Sequence, residues 1–214
     1  MNISKKMAVI GGTGKSGKFL VKELVKHGFH IKMLVRNPDR APEFDHQIEV
    51  IVGDVLDESS VSKLLEGCGA VISTLGWGLP PSKNTISSEG TTVILKAMKK
   101  HKISRYVLVS GINVDAENDN KGAYEKAATE WMYANYPEAT RDKQVEYELL
   151  LKSEVNWTLV RLPLIILDDE NKEIAVSLEH CPGDQISATS LSVFLIKQLS
   201  EAQFMKQAPF IANK

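Results

Sequence analysis

Apolar residues along this chain gather in short runs, and between the runs they recur three and four positions apart, the spacing of one helical face. Met7, Ala8, Val9 and Ile10 form the first run, after which Leu20, Leu24 and Val25 mark one side of a helix that closes at Gly28. A second run covers 31–35. The pattern continues with strands at 48–52, 70–74, 106–110 and 157–160, helices over 58–65 and 86–101, and one helical stretch from 122 to 153. Strands written as unbroken apolar runs are buried on both faces, as in a parallel sheet covered by helices on each side. The expected fold is therefore α/β, a doubly wound Rossmann-type sheet, in a single domain over residues 1–214 with no linker or repeat. In such sheets ligands bind beyond the carboxyl ends of the strands, so the residues just after each run carry the functional interest.

The first of these turns is Gly11-Gly12-Thr13-Gly14-Lys15-Ser16-Gly17. Glycines let the backbone approach an anion, and the free amides of the next helical turn point at it, so Gly11, Thr13, Gly14, Lys15, Ser16 and Gly17 are expected to hold the phosphates of a dinucleotide. The same stretch also spells the G-x-x-x-x-G-K of a phosphate-binding loop. That reading fails at Phe19, where a Ser or Thr hydroxyl would be needed for magnesium.

The second strand ends Val35-Arg36-Asn37-Pro38-Asp39-Arg40, with Arg36 in the place where an acid would accept the ribose 2′-hydroxyl of NAD. Guanidinium groups fork onto phosphate oxygens, so Arg36 and Arg40 favour NADP(H) over NAD(H). The later strand ends are polar and glycine-rich. Asp54 and Val55 are expected at the adenine end, although Asp54 suits a turn or helix cap equally well. Ser73, Thr74, Leu75 and Gly76 are expected under the middle of the cofactor, Ser110 nearest the nicotinamide, and Pro163 at the turn after the last central strand.

Composition narrows the function classes. A chain of 214 residues that is 43% hydrophobic can bury a full core, and a formal net charge of -1 gives no electrostatic footprint for nucleic acid or an acidic membrane surface. No apolar stretch approaches the ~20 residues that span a bilayer, and no hydrophobic leader is evident, so the expected location is cytoplasmic and the expected partner a small-molecule acceptor, with the chain a monomer or weak homodimer. Cys68 and Cys181 belong to no metal-ligand pattern; Cys68 reads as a small core residue and Cys181 as an exposed one.

Taken together, Gly11-Gly12-Thr13-Gly14-x-x-Gly17, Val35-Arg36-x-x-x-Arg40, Gly53-Asp54-Val55-x-Asp57, Val71 to Gly76, Val109-Ser110-Gly111 and Trp157 to Arg161 resemble the atypical short-chain dehydrogenase/reductases of the NAD(P)H-binding type, among them NmrA-like proteins and the biliverdin reductase B group of flavin reductases. The resemblance covers nearly the whole chain. It implies a sheet of seven or eight strands and a small substrate lobe over 163–214, and it matches Arg36 and Arg40 to the arginines that bind the 2′-phosphate.

The chain departs from the wider pattern at its chemistry. Many short-chain dehydrogenases pair a tyrosine with a lysine four residues later, the ammonium lowering the phenol pKa so that it can pass a proton to a carbonyl. Lys143 resembles that lysine, but Ala139 stands four residues before it. Tyr124, Tyr133 and Tyr136 are followed at that spacing by Ala128, Pro137 and Thr140. Two functions remain open. One is a reductase for a flat, electron-poor acceptor such as a flavin or quinone, with Ser110 and Lys143 orienting it; the other is a non-catalytic NADP(H) sensor of the NmrA-like kind. Lys143 reads equally as one charge of a solvated face with Arg141, Asp142, Glu146 and Glu148. The apolar run Leu164 to Leu167 is a candidate wall beside the nicotinamide, and Trp77 to Pro81 a candidate flap.

Overall fold

The computed structural model describes residues 6–40, 46–77 and 83–214, with Arg40 described in its backbone alone. The chain runs β1 (Lys6–Ile10), α1 (Gly17–Lys26), β2 (His30–Val35), a 3₁₀ turn (Pro38–Arg40), β3 (Ile48–Val52), α2 (Glu58–Leu65), β4 (Ala70–Ser73), α3 (Ile86–His101) and β5 (Arg105–Gly111). It continues with α4 (Ala123–Asn135), α5 (Pro137–Leu151), β6 (Asn156–Leu162), β7 (Leu164–Ile166), β8 (Ile174–Ser177), β9 (Gln185–Ser187), α6 (Ala188–Ser200) and β10 (Phe210–Asn213). Eight strands form one sheet in the order β3-β2-β1-β4-β5-β6-β10-β8. All its pairs are parallel except β10 with β8. The α/β, doubly wound architecture is the expected one.

Alternation along each strand sends side chains to opposite faces. Met7 and Val9 of β1 pack with Leu20 and Leu24 of α1 and with Phe194 and Leu195 of α6, while Ala8 and Ile10 face a second core built by Val61 and Leu64 of α2, Ile94 and Met98 of α3, and Leu150 of α5. A helix of ten residues such as α1 is marginal alone, so its fully buried Leu20 and Leu24, each worth about 1.5–3 kcal/mol, hold it in place.

The single helix expected over 122–153 is two. Pro137 has no backbone N–H and crowds the residue before it, and Tyr136 leaves the helical region at φ -140, ψ 56, so α4 stops and α5 starts at a proline in its first turn. The short β8 to β10 were not evident as runs, since each has only three or four residues, and β7 lies within the apolar run 164–167, which reads in the sequence as a wall rather than a strand. Strand order reverses between β1 and β4, and the crevice at their carboxyl ends is where the fold brings its turns together.

Candidate cofactor and acceptor site

The turn after β1 is built from backbone approach. Gly11 has φ +79, and a Cβ there would lie 2.7 Å from the Thr74 backbone of the turn after β4; a Cβ on Gly17 would lie 2.0 Å from the Gly11 carbonyl oxygen. Both positions therefore require glycine. The Gly14 amide donates to the Gly11 carbonyl at 2.9 Å and the Thr74 amide to that of Ile10 at 2.9 Å, which locks the two turns side by side. Ser16, the residue before α1, makes no side-chain cap, and the first turn of α1 carries no acid. Gly14 and Lys15 are exposed. Open amides, the positive end of the helix dipole and a floor where no Cβ intrudes fit a dinucleotide phosphate.

Around this cradle the other expected residues take distinct places. Arg36 is exposed beyond the end of β2, and the side chain of Arg40 lies outside the described residues, as do Gly78 to Pro81 of the candidate flap. Asp54 is a turn residue, accepting from the Leu56 amide at 2.9 Å, and the cap of α2 is Asp57, which accepts from the amides and hydroxyls of Ser59 and Ser60. Those hydrogen bonds hold the Asp57 carboxyl down at about 2. The Val55 side chain is buried in the core, which leaves its backbone for a ligand. Ser73 is buried and accepts from the Leu75 amide at 3.2 Å. Pro163 is buried between β6 and β7, with Leu164 and Leu167 exposed beside it and Ile165 packed into the core.

Ser110 is the penultimate residue of β5, on the face that also carries Tyr106 and Leu108. It is 6% exposed, and its hydroxyl has no hydrogen-bond partner among the described residues. The hydroxyl therefore does not serve to satisfy the strand end; a buried polar atom without a partner costs free energy that a ligand or a shift of the site can recover. Nearby, Asn113 donates to the Thr140 carbonyl at 3.2 Å, which orients its amide, and its Oδ1 sits over Gly111, where a Cβ would come within 2.4 Å.

The solvated face to which Lys143 reads equally as belonging is only partly there: Arg141 and Glu148 are exposed, and Lys143 is half-buried. Asp142 and Glu146 are 4% and 2% exposed. Asp142 turns to α3 and accepts from the amides of Ser87 (2.8 Å) and Ser88 (3.2 Å) and from the Ser88 hydroxyl. Lys143 donates to Glu146 Oε2 at 2.9 Å and to the Leu75 carbonyl at 3.4 Å, so it reaches the turn after β4. Glu146 Oε1 accepts from Thr91 at 2.8 Å, and the Thr91 hydroxyl meets that of Tyr106 at 3.4 Å. Burial first, and then the charge of Glu146, push the Tyr106 phenol well above its ordinary range. Nothing in the sequence marked Glu146, Thr91 or Tyr106 beyond the three-residue spacing of Glu146 from Lys143.

Trp77 is tied by its Nε1 to Asn84 at 3.0 Å and meets Tyr136 edge-on at 5.1 Å, with Trp131 a further 5.9 Å from Tyr136. Arg161, fully buried, pairs with Asp119 at 2.6 Å and lies 3.5 Å over the Phe210 ring, which ties β6 to β10. Cys181 is buried rather than exposed, its amide donating to the buried Glu125 at 2.7 Å, and Cys68 packs half-buried at the rim of the core, its thiol pushed up to about 11 by burial. No helix among the described residues is long and apolar enough to cross a membrane.

Comparison with known proteins agrees with this geometry. The family described as NAD(P)H-binding matches residues 11–202. An uncharacterized chloroplastic protein of Arabidopsis thaliana is 27% identical over 97% of this chain and 75% of its own length. A short-chain dehydrogenase/reductase of Veillonella parvula, solved in complex with NADP, superposes with a TM-score of 0.81 at 18% identity, covering 97% of this chain and 94% of that one. A protein of Escherichia coli O157:H7 described as an anaerobilin reductase does so with a TM-score of 0.81 at 17% identity, covering 97% of both chains. At these identities the solved structures speak for the fold.

Proposed function

The chain belongs to the NAD(P)H-binding family, and from that membership we propose that it is an NADP(H)-dependent reductase acting on a small planar or carbonyl acceptor such as a flavin or quinone. The observation that carries the reductase reading is the Ser110 hydroxyl, buried at the carboxyl end of β5 with no partner among the described residues. When bound, the cofactor supplies a hydride, and positioning governs most of the rest. The turn over residues 11–17 holds the phosphates on its remaining amides, that of Gly14 being engaged by Gly11, Arg36 and Arg40 select the 2′-phosphate, and Asp54, Val55 and residues 73–76 line the cofactor's path. Ser110 and Lys143 donate hydrogen bonds to the acceptor and offset the charge that grows on it. Segment 163–214 supplies most of the acceptor's surroundings, with Pro163 fixing the turn into it. The same reading has the chain act in the cytoplasm as a monomer or weak homodimer.

One observation favours a second reading. Ala139 stands where a proton-donating tyrosine would serve Lys143, and a sensor that binds NADP(H) without turnover needs no such group. Calorimetry with NADPH and NADH, followed by absorbance of the reduced nicotinamide with flavin mononucleotide or menadione present, separates the two. Tight NADPH binding with oxidation is the expected result. Binding without oxidation supports the sensor, and no binding overturns both.

A further inference from the structure

The buried polar groups behind Lys143 form a circuit of contacts that begins and ends on one residue, Leu75. The Leu75 amide donates to Ser73 Oγ; the Ser73 hydroxyl neighbours that of Tyr106; Tyr106 meets Thr91, Thr91 donates to Glu146 Oε1, Glu146 Oε2 accepts from Lys143, and Lys143 donates back to the Leu75 carbonyl. The circuit links β4, β5, α3 and α5, so it is a property of the assembled crevice.

Two features distinguish it from an ion pair that merely stabilises α5. A carboxylate only 2% exposed is costly unless fully bonded, and an exposed partner three residues away would be the cheaper arrangement for a surface helix. Here Glu146 is satisfied on both oxygens by groups from different elements. The ammonium, in contrast, is left with capacity: its bond to Leu75 is long at 3.4 Å, and its third N–H has no acceptor among the described residues. Its side chain keeps 16% exposure against 3% for that of Glu146, so the lysine is the member of the circuit that meets solvent.

We infer that Glu146 is a positioning residue, its carboxylate clamping the Lys143 ammonium at the lip of the crevice beside Leu75 so that one N–H stays available to an acceptor oxygen. The inference rests on the reductase reading in which Lys143 meets the acceptor. The clamp supplies the fixed cationic donor that a tyrosine–lysine pair would otherwise provide, and Thr91, itself met by Tyr106, holds the carboxylate from behind.

The test uses the full chain with ¹³Cε-labelled lysine. In the wild type a clamped Lys143 gives two resolved Hε signals, assigned by their loss in Lys143→Arg; Glu146→Gln, which keeps shape but not charge, collapses them to one. With NADPH and flavin mononucleotide, Glu146→Gln lowers kcat about tenfold, the scale of one charge-assisted bond, and leaves the Kd for NADPH within about twofold. Unchanged Hε splitting together with unchanged kcat overturns the clamp. If Glu146→Gln does not melt cooperatively, Thr91→Val removes the bond to Oε1 without touching the charge and carries the same Hε readout, an unchanged splitting there also counting against the clamp. Should wild type fail to oxidise NADPH, the reductase reading fails, and should Lys143→Ala turn over like wild type, the role of Lys143 at the acceptor fails and the clamp's catalytic purpose with it, while the Hε signals still decide whether Glu146 holds the lysine.

Discussion

Helices α1 and α3 begin in the same kind of place and are finished differently. Each rises from the carboxyl end of a central parallel strand, β1 or β4, on opposite faces of the sheet, and each presents unpaired amides there. At α3 the protein closes the end itself, lending Asp142 from α5 to the amides of Ser87 and Ser88. Helices α2 and α6 are closed by Asp57 and Ser187. At α1 no side chain caps the end, no acid sits in the first turn, and glycine backbone leaves the approach clear. A helix N-terminus by itself is only a place where negative charge is welcome; at α1 the chain also withholds its own carboxylate, which suits the phosphate site proposed there.

The strongest way to break that contrast is to fill the floor at α1. Gly17→Ala forces a methyl onto the Gly11 carbonyl, and an overpacking cost near ~3 kcal/mol corresponds to a loss of NADPH affinity of about a hundredfold by calorimetry; binding like wild type would show that the approach is not needed. The reciprocal change, Asp142→Ala, strips a buried cap from α3 and is expected to cost about 2–3 kcal/mol in urea unfolding while NADPH affinity stays put. A fall in affinity as large as the fall in stability would mean that the two helix ends are not independent. Arg36→Ala sharpens the α1 side: NADPH weakens by about tenfold, from the loss of one charge-assisted contact, and NADH does not. Equal losses would withdraw the 2′-phosphate assignment.

The smallest effect belongs to the exposed cap of α2. The Asp57 carboxyl lies at about 2 in the fold against 3.8 without its hydrogen bonds, so its contribution is fully present above pH 3.8 and is lost as pH falls through 2. Asp57→Asn should flatten this part of the acid limb in thermal melts recorded between pH 5 and pH 2; an unchanged limb would show the cap to be idle.

Much of the fold was legible in one dimension. Unbroken apolar runs such as Ala70 to Ile72 are buried on both faces, and that requires helices on both sides of a parallel sheet. The break at Tyr136–Pro137 was missed although proline chemistry is local, because the helical spacing on either side masked it. Strands β8 and β10 were not legible, since four-residue segments gain their hydrogen bonds only from neighbours far along the chain. At the site, the glycines, Asp54, Ser73 and Ser110 stood out because they interrupt apolar runs. Asp142 and Glu146 read as solvent charges, and the assembled structure buries both.

The sequence by itself determined the βαβ core, the glycine turn and the polar residues at the strand ends, because strand and helix periodicity and the demand for φ +79 at Gly11 act over a few neighbouring positions. Only the tertiary structure decided which charges are surface and which are buried. Asp142, Lys143 and Glu146 share one stretch of α5, yet one caps α3, one reaches the turn after β4, and one closes a circuit through β5. Outside α5 their partners lie 54 to 68 positions away in sequence, Ser87 and Ser88 for Asp142, Thr91 for Glu146 and Leu75 for Lys143. A charged residue takes its role from the dielectric and the donors around it, and packing alone supplies those.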